Sequence, residues 1–174
     1  MNTSRKLLLA GGAAVVATAM ASSAFAQASA TTSATASVTV FQPITVTKNT
    51  DLAFGRVIRT SSAATVYTVS EVDGTTSTSG GNGIFTTGGG SPGRATFTVN
   101  GEGAQAFSIA SDASVVANGI TINLVKSATS GTLDGTLGVG TGTATFGVGG
   151  NVTLTSASPT GLASGSFNVT VAYN

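Results

Sequence analysis

The 174-residue sequence predicts an all-β fold, either a sandwich or a barrel, for the chain beyond residue 26. Apolar and polar residues alternate at period two in many short segments, as in half-buried strands. No stretch of ten or more residues there repeats apolar positions at the spacing of three and four that a helix needs. Glycines, of which the whole chain has 24, and many Ser and Thr separate the segments. Together these features predict about eight to ten short strands.

The first 26 residues have the pattern of a secretory signal peptide. A basic start precedes an apolar run, and the small residues Ala24 and Ala26 end it in an A-x-A cleavage site. We therefore expect cleavage before Gln27 and export of the rest. A transmembrane anchor is the alternative for this segment.

Residues 27–41 form a polar N-terminal extension rich in Ala, Ser and Thr. Its side chains Ala34, Ala36, Val38 and Val40 alternate on one face of an extended segment. The extension is either an ordinary first strand or a detachable donor strand that completes the sheet of a neighbouring subunit. The predicted organisation is a signal peptide at 1–26, this extension at 27–41 and a β-domain at 42–174.

The next segments are short strands with interruptions. Residues 52–59 change phase at Gly55, which predicts a bend or bulge there. Residues 73–93 are rich in Gly, Ser and Thr and predict a surface loop that carries a small edge strand at Ile84 and Phe85.

The central segments have the clearest alternation. Residues 95–110 predict a hairpin that turns at Gly-Glu-Gly, residues 101–103. Residues 120–124 predict one further strand, and residues 143–148 and 152–154 predict two more, separated by Gly-Gly-Asn.

The C-terminal strand carries its apolar residues on one face. We expect Phe167, Val169, Val171 and Tyr173 to face the core, with the residues between them facing away. Such a strand predicts a central sheet position and a terminus that is held in place.

The composition disfavours catalysis and nucleic-acid binding. The chain has no His and no Cys, only 7% charged residues and a formal net charge of +1. It therefore lacks the usual general base, the usual thiolate and the usual zinc ligands, and has no basic cluster for phosphates. We expect no enzyme activity, no cofactor, no metal and no nucleic-acid partner.

Three strings imitate functional motifs. Residues 89–93 read Gly-Gly-Ser-Pro-Gly, like a nucleophile elbow, but no His accompanies them and no helix is predicted after them. Residues 101–106 resemble a dinucleotide fingerprint, yet a strand follows where a helix is needed. Glu71 and Asp73, two residues apart on one strand face, are more typical of a solvated strand end than of a carboxylate pair.

The segment from residue 40 to residue 55 and the closing Gly-x-Phe-x-Val-Thr-Val-x-Tyr-Asn resemble the secreted bacterial domain-of-unknown-function 4402 family. That family is similar to the spore-coat-protein-U and chaperone-usher pilin group. The resemblance implies an immunoglobulin-like sandwich that lacks its last strand, although this chain has no Cys pair. It also implies a chaperone-bound edge from Phe167 to Tyr173 and a donor strand at Ala34, Ala36, Val38 and Val40.

The favoured function is a structural subunit of a bacterial surface fibre, built by β-strand complementation. Its expected partners are further copies of itself, a periplasmic chaperone and an outer-membrane usher, with no membrane association once the signal peptide is removed. Its expected location is the cell surface, reached through the periplasm. A stand-alone secreted adhesion or binding module is the main alternative, and a hydrolase is a third.

Overall fold

The computed structural model describes residues 29–139 and 141–174, of which Thr39–Asn174 form one compact unit. The described residues contain antiparallel strands and no helix, which confirms the predicted all-β fold. The strands are β1 Thr45–Thr50, β2 Val57–Ile58, β3 Thr65–Val69, β4 Thr76–Gly80, β5 Ile84–Phe85, β6 Ala95–Glu102, β7 Ala106–Ser111, β8 Ser114–Ala117, β9 Ile120–Lys126, β10 Ser130–Thr132, β11 Thr141–Leu154 and β12 Val169–Tyr173. Because the described residues form no helix, they contain none that could span a membrane.

The largest sheet is organised around the long strand β11. Its strand order is β1-β6-β11-β3-β4, and β9 brings β8 into the same sheet by pairing with β11. Val148 pairs with Ala95 of β6 and also with Lys126 of β9, so β6 and β9 lie on opposite sides of β11. Beyond Val148, the second half of β11 pairs with β3.

A second sheet has the order β10-β7-β12, and β2 pairs with β5 in a separate ribbon. The main core contains side chains from both larger sheets, so their apolar faces are turned toward one another. At its centre, the rings of Phe97 and Phe146 stack with their centroids 5.1 Å apart. The buried members of this core are Ala95, Phe97, Val99, Phe107, Ile109, Leu133, Phe146 and Val148.

The predicted hairpin at residues 95–110 is wrong. β6 pairs with β1 and β11, whereas β7 pairs with β10 and β12 in the other sheet. The connection after Glu102 turns at Ala104, whose φ is 61°, and carries the chain across the core. Because the chain crosses between the sheets, the apolar faces of β6 and β7 bury the same core from opposite sides. A hairpin would show the same alternation in sequence, so the pattern alone cannot distinguish the two arrangements.

The predicted break at residues 149–151 is also wrong, because β11 runs through it as one strand. A Cβ atom at Gly149 would lie 2.3 Å from the carbonyl oxygen of Val69, and one at Gly150 would lie 2.3 Å from that of Asn123. The two glycines therefore permit close approach of the neighbouring backbones and do not form a turn.

Gly55 has a φ of 64°, in the left-handed region that favours glycine, two residues before β2, but the chain makes no sharp bend there. The loop at residues 73–93 agrees with its prediction in part. The small strand at Ile84–Phe85 is present and pairs with β2. The loop also contains β4, which was not predicted because all five of its residues are exposed and polar or glycine, so it has no apolar alternation.

Candidate functional site

The C-terminal strand β12 is an edge strand, not the central strand that its pattern predicted. It pairs with β7 on one side only; β1 contacts it, but no strand in the described ranges hydrogen-bonds to its other edge. The predicted facing agrees with the structure: Val169, Val171 and Tyr173 are half-buried, while Thr170 and Ala172 are exposed. β12 therefore presents unpaired backbone groups beside a partly covered apolar face.

Phe167 precedes β12 and extends this apolar face. Its ring meets that of Phe97 edge to face, with the centroids 6.4 Å apart, and it packs against the main core. Asn168 is exposed on the opposite side, where its backbone N–H donates to Asp112 at 2.7 Å. All four predicted residues of the C-terminal edge thus face one core.

The penultimate residue, Tyr173, joins both ends of the domain. Its hydroxyl donates to the carbonyl oxygen of Gln42 at 2.8 Å and accepts from the backbone N–H of Glu102 at 2.6 Å. The Phe41 ring packs edge to face on the Tyr173 ring, with a centroid distance of 6.1 Å. A Cβ at Gly101 would lie only 2.3 Å from the Tyr173 hydroxyl oxygen, so glycine leaves room for this contact.

Glu102 completes this arrangement with a buried carboxylate. The residue is 3% exposed. Its Oε2 accepts from the backbone N–H of Gln42 at 3.2 Å, and its Oε1 accepts from that of Gly138 at 2.6 Å. No cationic side chain of the described residues pairs with it, so these N–H groups offset the cost of burying the carboxylate.

We call Phe41, Gln42, Glu102 and Tyr173 the terminal clamp. The clamp fixes both backbone groups of Gln42, the point where the extension enters the domain. The sequence did not predict it, because Glu102 stands between two glycines and reads as a turn residue. The penultimate Tyr was the only sequence signal that could have indicated it.

The described part of the extension contains no strand. Residues 29–44 have no assigned secondary structure, so an ordinary first strand at this position is wrong, and the first strand begins at Thr45. Ala34 and Ala36 are exposed, and Val38 and Val40 are 85% and 81% exposed. The four predicted donor residues thus have accessible side chains.

An apolar groove of about 500 Å³ lies beside the second, smaller core cluster. The strands β9 and β11 supply its apolar floor, and the connection before β12 forms one wall. Leu162 in that wall is 87% exposed. The Leu, Ile, Val and Phe residues that line it are Leu52, Phe54, Val57, Ile120, Ile122, Val152, Leu154 and Leu162.

The groove and the terminal clamp lie at opposite ends of β1 and β12. The clamp joins Gln42, just before β1, to Tyr173 at the end of β12. The groove is lined by Leu52, just after β1, and by Gly165, before β12 begins. These two edge strands contact each other and run between the two features.

The three strings that imitate catalytic or ligand motifs form turns and a sheet crossing. Residues 89–93 form a loop in which Gly89 and Gly90 have positive φ. Residues 101–106 run from the end of β6 to the first residue of β7, so they lead into a strand and not into a helix. Glu71 and Asp73 both lie in the turn after β3, and not on a strand face as predicted. Hydrogen bonds from Ser70 and Thr75 lower the pKa of Asp73 to about 2. The described residues contain no cluster of three or more potential metal ligands.

The predicted signal-cleavage residues Ala24, Ala26 and Gln27 lie outside the described residues.

A protein-family model whose description is domain of unknown function (DUF4402) matches residues 44–173. The match spans β1 to β12 and leaves out the extension. No curated protein and no solved structure matches the chain.

Proposed function

The chain belongs to the DUF4402 family, and we propose that it is a structural subunit of a secreted bacterial surface fibre, assembled by β-strand complementation. The observation that carries the proposal is the open edge of β12, where a half-buried apolar face lies beside unpaired backbone groups. An extended segment can add to such an edge through main-chain hydrogen bonds, while its alternate side chains fill apolar pockets. The exposed extension of the same chain supplies a segment of this kind.

The finer architecture that we propose is an immunoglobulin-like, pilin-like sandwich with one strand missing. This proposal is supported by two antiparallel sheets that share a core. The connection between β6 and β7 carries the chain from one sheet to the other. The missing strand would lie along β12, on the side away from β7. A strand from another subunit would fill that place.

Export is part of the same proposal. Residues 1–26 carry the pattern of a signal peptide, and a fibre subunit must leave the cytoplasm to act. Before assembly, a periplasmic chaperone would cover the edge from Phe167 to Tyr173, and an outer-membrane usher would deliver the subunit to the growing fibre. Pairing with other copies of the chain would make a homopolymer at the cell surface.

We expect mass spectrometry of the protein from the surface fraction of producing cells to find Gln27 at the N-terminus, because the A-x-A site ends at Ala26. The cytoplasmic fraction of the same cells is the control and should contain little of the chain. Intact protein that begins at Met1 and accumulates in the cytoplasm would contradict export.

Assembly is tested by placing charge on the apolar face of the extension. Replacing Val38 and Val40 together by Asp should abolish multimers, because each buried Val side chain contributes about 1.5 to 3 kcal/mol and an unpaired carboxylate resists burial. Size-exclusion chromatography with light scattering and electron microscopy of the surface fraction measure the outcome.

Thr39→Asp is the matched control, since its side chain lies on the opposite face of an extended segment. It should leave most multimers intact. If the double Asp variant assembles as well as the unmodified chain, the extension is not a donor strand. A stand-alone adhesion or binding module would then be the better interpretation.

A further inference from the structure

We propose that the apolar groove beside β9 and β11 receives Val38 and Val40 of a second copy, so that subunits join head to tail. This inference rests on the proposed function and names the acceptor surface within it. It assigns the two exposed Val residues to one end of the neighbouring subunit. The smaller Ala34 and Ala36 then continue along β12.

The chemistry of the two surfaces is complementary. The accessible apolar surface of the groove comes from Ile120 and Ile122 of β9, which are half-buried, and from Leu162, which is 87% exposed. The extension presents two of the most exposed aliphatic side chains among the described residues. Burying unpartnered apolar surface on both sides is favourable in proportion to the area removed from water.

The charges also fit. Arg59 is the only charged residue that lines the groove, and its guanidinium already donates a hydrogen bond to the carbonyl oxygen of Ser158. Residues 27–41 contain no charged side chain. A neutral strand therefore brings no charge of its own into the groove.

The positions of the two surfaces determine the kind of assembly. The extension enters its own domain at the terminal clamp, and the groove lies at the other end of β1 and β12. Two different surfaces at opposite ends form a heterologous contact, which produces an open filament when the rotation between subunits does not close a ring. A symmetric dimer would instead use one surface twice.

This arrangement requires the two subunits to lie close together. Val38 and Val40 stand four and two residues before Gln42, so they reach at most roughly 14 and 7 Å from the clamp, and the groove of the next subunit must lie against it. Starting from the clamp of one subunit, residues near Val40 would enter the groove of the next. The more distant residues would then reach the open edge of β12.

Cysteine cross-linking tests the pairing directly, because the native chain has no Cys. Val38→Cys and Leu162→Cys variants are produced together in the same cells, so that a disulfide between them can only join two copies. Leu162 is exposed, which makes its substitution compatible with folding. The control partner is Val72→Cys, an exposed residue in the turn after β3 and outside the groove.

We expect disulfide-linked dimers from the Val38 and Leu162 pair, at a yield at least about tenfold above the control pair, because assembly raises the effective concentration of the two thiols. Denaturing electrophoresis without reductant measures this yield. Electron microscopy of the same samples reports independently whether fibres form.

Each other outcome identifies what fails. Fibres with no enrichment of the Val38 and Leu162 disulfide would overturn the groove assignment and leave the proposed function standing. A variant with both cysteines in one chain that closes a disulfide within the monomer would show that the extension fills its own groove, which also overturns the inference. Absence of multimers from the unmodified chain would reject the proposed function itself.

Discussion

Replacing Phe146 by Ala is expected to lower the free energy of unfolding by about 3 to 5 kcal/mol, the usual range when a buried aromatic ring is lost. Phe146 is 6% exposed and stacks on Phe97, its partner in the register of β6 and β11. Removing the ring leaves a cavity between the two sheets. Equilibrium unfolding in urea, followed by circular dichroism, measures the change.

The adjacent residue provides the control. Thr145 lies on the same strand with its side chain exposed, so Thr145→Ala should cost no more than about 1 kcal/mol through strand propensity alone. Equal losses from the two variants would mean that the outer face of β11 is as closely packed as the inner one. The two-sheet core described above would then be wrong.

Replacing Glu102 by Ala is expected to cost a similar amount, about 3 to 5 kcal/mol, because two hydrogen bonds to a carboxylate are lost at about 1.5 to 3 kcal/mol each and some desolvation cost is recovered. The backbone N–H groups of Gln42 and Gly138 would lose their acceptors. Urea unfolding measures the stability, and amide hydrogen exchange at the same two residues should become faster.

Glu71→Ala is the matched carboxylate control, since no side-chain hydrogen bond of Glu71 is present among the described residues. Its cost should stay within about 0.5 kcal/mol. A Glu102→Ala variant as stable as this control would mean that the terminal clamp contributes nothing to the fold. Unchanged exchange at Gln42 would lead to the same conclusion.

The strands could largely be predicted from the sequence, because period-two alternation reports burial on one face directly. It reports nothing about which strand lies beside which. β6 and β7 bury the same core whether they pair with each other or cross between sheets, so the hairpin prediction failed there. At Gly149 and Gly150, two adjacent glycines are equally typical of a turn and of a place where neighbouring backbones approach closely, so the sequence does not distinguish them.

The candidate site could be predicted only in part. The facing of Phe167, Val169, Val171 and Tyr173 followed from alternation, as did the apolar face of the extension. The terminal clamp could not be predicted, because Gln42, Glu102 and Tyr173 meet through contacts between residues 60 to 131 positions apart. Whether β12 is central or at an edge also depends on its neighbours, and no property of the strand itself encodes that.

The distance along the chain between Gln42 and Tyr173 has a consequence for the order of folding. Their hydrogen bond joins residues 131 positions apart. Synthesis proceeds from the N-terminus, so β1 is complete long before its partner β6 and before Tyr173 exists. Closure of the domain is therefore a late event. Until then, unpaired strands and their apolar faces remain open to aggregation, which is most severe in slow, non-local β topologies.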